Sequence, residues 1–297
     1  MSPLHQLVAE PELSEPLLIS ALDGWVDAGM AAMSAMTYLL GNGETTLVAR
    51  FDSDTLLDFR SRRPVAHLVD GVNTGLTWPS IELRHGHDLD GRDLLLLTGS
   101  EPDSNWQSFS NEVVDLAKQF GVRLVVGLGA FPAPAPHTRP PKVACTANRT
   151  ELADHFMGMR PTLDVPAGVQ AAIERSCADA SLDAIGLWAQ VPHYASAMAY
   201  PQAGAALLDS LAEVTGLRLD TSELREAGEA LTSQLNMSIA NNDEHLQMLH
   251  NLEAAYDAQT DTTQRLGLGP MPSQEELAAE VESFLREVNR SDGGETP

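Results

Sequence analysis

Cysteine and lysine are scarce in this chain, and each scarcity excludes something. Two cysteines in 297 residues, Cys145 and Cys177, cannot staple a disulfide scaffold and suit a reducing compartment. Lys118 and Lys142 are the only lysines, and eighteen basic against forty-two acidic side chains give a formal net charge of −24. That excess repels a phosphate backbone, so nucleic acid is not an expected partner. Long apolar runs are missing too. The uncharged stretch 28–43 is rich in Ala and Met, ends in Gly41-Asn42-Gly43, and is too short to span a membrane. Met1-Ser2-Pro3-Leu4-His5-Gln6 has neither a basic region nor a following apolar segment, so a cytoplasmic protein without a signal peptide is expected. What remains is ordinary globular material, 43% apolar and 20% charged, long enough for one large domain or two modest ones.

Apolar runs and helical periodicities alternate along the first 220 residues. Residues 17–22 read as a buried strand, and Asp27 is placed to cap a helix that Gly41 and Gly43 stop. Residues 46–52 read as the next strand. Residues 80–87 and 93–98 flank Asp90-Gly91, a strong hairpin cue. The clearest helix covers 105–120: Trp106, Phe109, Val113, Leu116 and Phe120 share one face, Ser104 with Gln107 makes a capping-box pattern, and Gly121 sits where a terminating glycine belongs. Residues 122–127 follow as a buried strand. Five prolines in 129–141 predict an irregular loop. Helices are expected over 168–180 and 203–214, with a strand over 184–191 between them. This alternation argues for an α/β fold with a mostly parallel sheet covered on both faces.

Composition changes near Asp220. Residues 221–297 hold fifteen acidic side chains, four arginines and no lysine, and Leu224, Leu231, Leu235, Ile239, Leu246, Leu249 and Tyr256 recur near helical spacing. Ser273 and Glu276 form a second capping box ahead of Leu277, Val281, Phe284, Leu285 and Val288. The expected division is an α/β core over 1–220, an acidic helical extension over 221–288 and a disordered tail over 289–297.

No catalytic constellation stands out. Gly24-Trp25-Val26-Asp27-Ala28-Gly29 joins a strand to a helix, the place where α/β sheets open a ligand crevice, but Asp27 repels a phosphate and the lysine of a P-loop is missing. Gly127-Leu128-Gly129 begins like a dinucleotide fingerprint and then puts Pro132 where the third glycine belongs. His85 and His87 point to one side of a strand, as a metal pair would, yet nothing in the sequence supplies further ligands, and solvated edge histidines are the favoured reading. Cys145 and Cys177 read as small buried thiols. Ser100 and Ser196 lack a nucleophile elbow. His137 and Arg139 in the Pro-rich loop, and His193 at a strand end, offer donors or acids near neutral pH, or simply hold loop carbonyls. Arg60, Arg62 and Arg63 suit an anionic ligand or internal partners such as Asp54 and Asp58.

Five segments occur in a recognisable order: Gly24 to Gly29; Asp54-Thr55-Leu56-Leu57-Asp58-Phe59-Arg60-Ser61-Arg62-Arg63-Pro64; Gly99-Ser100-Glu101-Pro102-Asp103 with Trp106; Pro136-His137-Thr138-Arg139-Pro140; and Val191-Pro192-His193-Tyr194. The series resembles the PAC2 family, the proteasome assembly chaperone 2-like proteins, and above all its actinobacterial branch. It covers residues 17–220, and the acidic extension is similar to actinobacterial members as well. The resemblance implies a three-layer α/β/α core akin to the nucleoside phosphorylase fold, and homo-oligomers, trimers in this branch. Founding relatives chaperone proteasome assembly and dock through a C-terminal hydrophobic–Tyr–any tripeptide. This sequence ends Glu295-Thr296-Pro297, so no proteasome docking is expected from it.

The expected function is therefore a non-enzymatic interaction or assembly protein that associates with itself and carries no cofactor, metal or catalytic residue. The alternative is a ligand-binding protein or enzyme whose crevice is lined by Trp25, Asp27, Arg60, Glu101, Trp106, His137, Arg139 and His193. There, the tryptophans would stack on a ligand and the arginines would hold its anion.

Overall fold

The computed structural model describes residues 3–154, 156, 160, 162–240 and 242–263. In chain order the elements are β1 (His5–Leu7), β2 (Leu17–Asp23), α1 (Ala31–Gly41), β3 (Thr46–Phe51), α2 (Ser53–Leu56), β4 (Val65–Val69), β5 (Val72–Thr77), β6 (Ile81–His87), β7 (Asp93–Ser100), α3 (Trp106–Gln119), β8 (Leu124–Ala133), β9 (Val143–Ala147), α4 (Thr150–Asp154), α5 (Val169–Asp179), β10 (Ala184–Pro192), α6 (Pro201–Thr215), α7 (Ser222–Ile239) and α8 (Asp243–Thr263).

Eight strands form one sheet in the order β1-β3-β6-β7-β2-β8-β10-β9. The four central strands, β7-β2-β8-β10, run parallel, and the strands outside them pair antiparallel. Apolar residues fill both faces of the centre, as a sheet covered on two sides requires. On β2, Leu17, Ile19 and Ala21 enter the layer under α1 and α6, while Leu18 enters the layer under α3 and α5. β7 repeats the alternation with Leu94 and Leu96 against Leu95 and Leu97. The result is a three-layer α/β/α core, with α7 packed outside α6 as a helical extension. The β6–β7 hairpin turn is held by buried Asp88, which accepts the amides of Asp90 (3.0 Å), Arg92 (2.8 Å) and Arg218 (3.0 Å).

The helix over 105–120 ends as its glycine predicts. Gly121 is left-handed at φ +68°, its amide reaches Lys118 O, and the Val122 amide reaches Ala117 O. Its start differs from the capping-box expectation. Ser104 Oγ donates instead to Thr55 O (3.1 Å), as does Asn105 Nδ2 (3.0 Å), and Asn105 turns left-handed at φ +59°. A tie to the α2 segment wins over a local cap.

The Pro-rich stretch differs as well. β8 runs on through Pro132 to Ala133, paired in parallel with β10. The Ala130 amide points to Val26 O, on the β2 side. Two residues later the donor-less Pro132 nitrogen faces that same side, beyond the end of the β2 ladder, so the missing N–H costs the sheet nothing. Irregular backbone begins only after Ala133.

Candidate functional site

The parallel strands end on one rim, and the segments singled out from the sequence meet there. Beyond β2 the chain turns through Gly24 to Gly29. Asp27 bridges to Ala130 on β8, the Gly29 amide donates to Ser196 O (2.7 Å), and the Tyr200 amide donates to Gly29 O (2.8 Å). The turn, the end of β8 and the segment after β10 are thus hydrogen-bonded to one another.

Glu101 lies just past β7 and is 6% exposed. Its Oε2 accepts the Trp25 amide (2.9 Å) and its Oε1 accepts the Val169 amide (2.7 Å) at the start of α5. Both carboxylate oxygens are used on backbone donors. The fit is close: a Cβ on Gly24 would fall 2.3 Å from Glu101 Oε2, and one on Gly168 would fall 2.4 Å from Trp25 O. Asp27 caps α1 through the amides of Ala32 (2.8 Å) and Met33 (3.0 Å). Burial pushes its carboxyl above the ordinary carboxylate range, and those amides offset only part of the push.

His137 is 3% exposed and closes a circuit with Tyr194. The His137 amide donates to Tyr194 Oη (2.9 Å), and Nδ1 lies 2.7 Å from that oxygen. Nε2 lies 3.1 Å from Asn236 Oδ1 on α7. Asn236 Oδ1 can only accept, so Nε2 carries the hydrogen, Nδ1 is bare, and the Tyr194 hydroxyl donates to it. Burial lowers the His137 pKa and raises that of Tyr194 to about 12, so both are neutral at pH 7.

Arg139 forks onto Asp257 of α8 through Nε and Nη2, both at 2.9 Å, and reaches Glu253 at 3.2 Å. Tyr256 Oη donates to Pro140 O (2.8 Å), and Lys142 Nζ stands 4.0 Å from the Tyr256 ring centroid. The loop after β8 is therefore the platform on which the helical extension is moored.

Of the eight proposed lining residues, Trp25, Asp27 and Glu101 share the β2 turn, while His137, Arg139 and His193 gather around Tyr194 and the extension. His193 stacks edge-on to Tyr194 at 5.3 Å. Arg60 lies apart, its side chain 88% exposed and paired with Asp58. Trp106 packs on the α3–α5 side and donates to Pro102 O (2.5 Å). Trp25 is 57% exposed on the rim. Two clefts lie elsewhere. One of about 550 Å³ runs between Pro140, Pro141, α6 and α7, and one of about 430 Å³ lies at the opposite end of the sheet beside Arg92, Asp93 and Arg123. None of the eight residues lines either. Cys145 and Cys177 are buried, which raises their pKa values to about 11 and about 12 and leaves them poor nucleophiles.

The PAC2 family profile matches residues 21–238, covering the core and α7. The chain belongs to the PAC2 family. Similar solved structures come from actinobacteria. A Corynebacterium glutamicum protein of unknown function is 33% identical with a TM-score of 0.82, the match covering 88% of this chain and 99% of that one. A Mycobacterium tuberculosis proteasome-assembly chaperone homologue is 32% identical with a TM-score of 0.73, over 80% of this chain and 99% of that one. A PAC2 family protein from Streptomyces avermitilis is 33% identical with a TM-score of 0.72, over 79% and 99%. Among curated proteins no sequence matches. No helix among the described residues of this PAC2 chain is long and apolar enough to cross a membrane.

Sequence reasoning passed over several parts of this PAC2 structure. Asn236 and Tyr194 complete the His137 circuit, and no local pattern announces partners so far apart in the chain. The β4–β5 hairpin, by contrast, had a readable signal in Val69-Asp70-Gly71-Val72, an Asp-Gly turn between valines.

Proposed function

We propose that this PAC2 protein is a non-enzymatic assembly protein of the cytoplasm that works as a homo-oligomer, with a trimer as the expected state. The β4–β5 hairpin carries the reading. It forms its own two-stranded sheet, apart from the large one. Asp70 and Gly71 take φ +50° and +79°, the two positive angles that a tight hairpin turn of this kind needs. Val65, Leu68, Val69 and Val72 are each at least 60% exposed, and Leu76 is 43% exposed. Trp78, half exposed, meets Phe59 edge-on at 4.8 Å at the hairpin base.

A lone two-stranded ribbon is marginal in water, and a contiguous apolar surface marks an interaction site. A second copy of the chain covers it in this reading. The Mycobacterium relative's description as a proteasome-assembly chaperone homologue supports an assembly role. Sedimentation at micromolar concentration tests it: the native protein runs as a multiple of the protomer mass, and Leu68→Asp with Val72→Asp runs as the monomer. A native protein that is strictly monomeric overturns the proposal. Co-purification with proteasome α subunits, from a host that has them, identifies or removes the proteasome as the client.

One observation favours ligand binding at the rim instead, namely the exposed Trp25 ring beside the strand ends. Native mass spectrometry discriminates. A small molecule retained by the native protein and lost in Trp25→Ala moves the assignment to a ligand-binding protein.

A further inference from the structure

The fold supplies what the sequence around His85 and His87 lacks. The two histidines stand side by side on β6, their rings 4.6 Å apart. Asp93 opens β7 across the hairpin, in register with His87. Its Oδ1 lies 2.9 Å from His85 Nε2 and 3.3 Å from His87 Nε2, and one ligand atom from each residue falls within 4.8 Å of the other two. We propose that His85, His87 and Asp93 form a binding site for a divalent transition-metal ion of the zinc class.

Geometry, donor chemistry and support all bear on this. Two ligands each about 2.0–2.1 Å from a tetrahedral ion stand about 3.3 Å apart, close to the 2.9 Å and 3.3 Å from Asp93 Oδ1 to the two imidazoles, so an ion needs only small side-chain adjustments. Two imidazoles and one carboxylate select zinc, copper, nickel or cobalt over magnesium or calcium, which prefer oxygen alone. Without an ion, His85 Nε2–H donates to Asp93 Oδ1; with it, all three residues present lone pairs to a single point.

Asp93 Oδ2 accepts the Ser14 amide (2.9 Å), which fixes the carboxylate's direction as an outer partner of a metal ligand does. His85 and Asp93 are mostly buried, while the His87 side chain is 48% exposed, leaving a fourth position to water or a ligand. Asp93 also forms part of the wall of the 430 Å³ cleft, so the ion would sit at its edge. This site is at the far end of the sheet from the rim and is independent of the assembly reading.

The test uses the full chain without a histidine tag, stripped with chelator and titrated with Zn²⁺ against a zinc-sensitive dye. The expected result is one Zn²⁺ per chain, a raised melting temperature, and visible d–d absorption when Co²⁺ replaces it. His87→Ala, at a half-exposed position, weakens uptake by about tenfold or more while keeping the native far-ultraviolet spectrum and oligomeric mass. Asp93→Asn is the second variant and weakens uptake likewise. No saturable uptake by the native protein, or uptake unchanged in His87→Ala, overturns the site.

Discussion

Glu101 joins Trp25 to Val169: one buried carboxylate accepts a backbone amide from the β2 turn and another from the first residue of α5. The end of β7 thereby sets the position of a loop on one side and a helix start on the other. Gly24 and Gly168 give the room, since a Cβ at either would collide with this clamp.

Removing the clamp leaves two donors without their partner, the Val169 amide in a buried place and the Trp25 amide in a partly buried one. Glu101→Ala is expected to cost about 2–4 kcal/mol, while Glu101→Gln, which keeps one acceptor oxygen, costs about half as much. Urea denaturation monitored by tryptophan fluorescence checks this. Equal stability of Glu101→Ala and the native protein would show that water replaces the carboxylate freely.

His137 gives stability a pH dependence whose sign follows from burial. Burial holds its pKa below the ordinary 6.5, and the Asn236 hydrogen bond and nearby Glu253 oppose this only in part. As pH falls through 6.5 the unfolded chain takes up a proton that the folded chain refuses. The stability this residue contributes is present above 6.5 and is lost as pH falls toward the folded value. Calorimetry from pH 7.5 to 5.5 should show a smaller loss in His137→Gln than in the native protein. A variant with the same or a steeper fall contradicts the neutral assignment.

Arg139 moors α8. Arg139→Ala releases Asp257 and Glu253 from the loop after β8, and α8 is expected to lose amide protection while α1, α3, α5 and α6 keep theirs. Part of this mooring is solvent-exposed, so raised salt weakens α8 in the native protein in the same direction. Hydrogen exchange with mass spectrometry reads both effects. Protection in α8 that survives the substitution would assign the docking to its apolar contacts.

Much of the fold was legible because it is local. The alternating apolar residues of β2 and β7, the Asp27 cap, the Gly121 stop and the Asp90-Gly91 turn each state their structure within a few residues. The Ser104 cap and Pro132 of β8 did not follow local rules, because a contact with Thr55 and the early end of β2 decided them from a distance. For the candidate sites the division is sharper. His85 and His87 are visible as a pair, but Asp93 joins them only through strand register, and Glu101 has no sequence mark of its double role. The capping box at Ser273 and Glu276, and the proposed tail over 289–297, lie outside the described residues.

The amino-acid sequence by itself determined the layered α/β class, the central strand and helix spans and the family, since propensity, periodicity and motif order act at short range. Only the tertiary structure decided which charged groups are engaged with one another and which face outward. Hydrogen-bond and ion partners such as Arg139 with Asp257, or His137 with Tyr194 and Asn236, lie far apart along the chain, and nothing brings them within bonding distance until the sheet and its helices have packed.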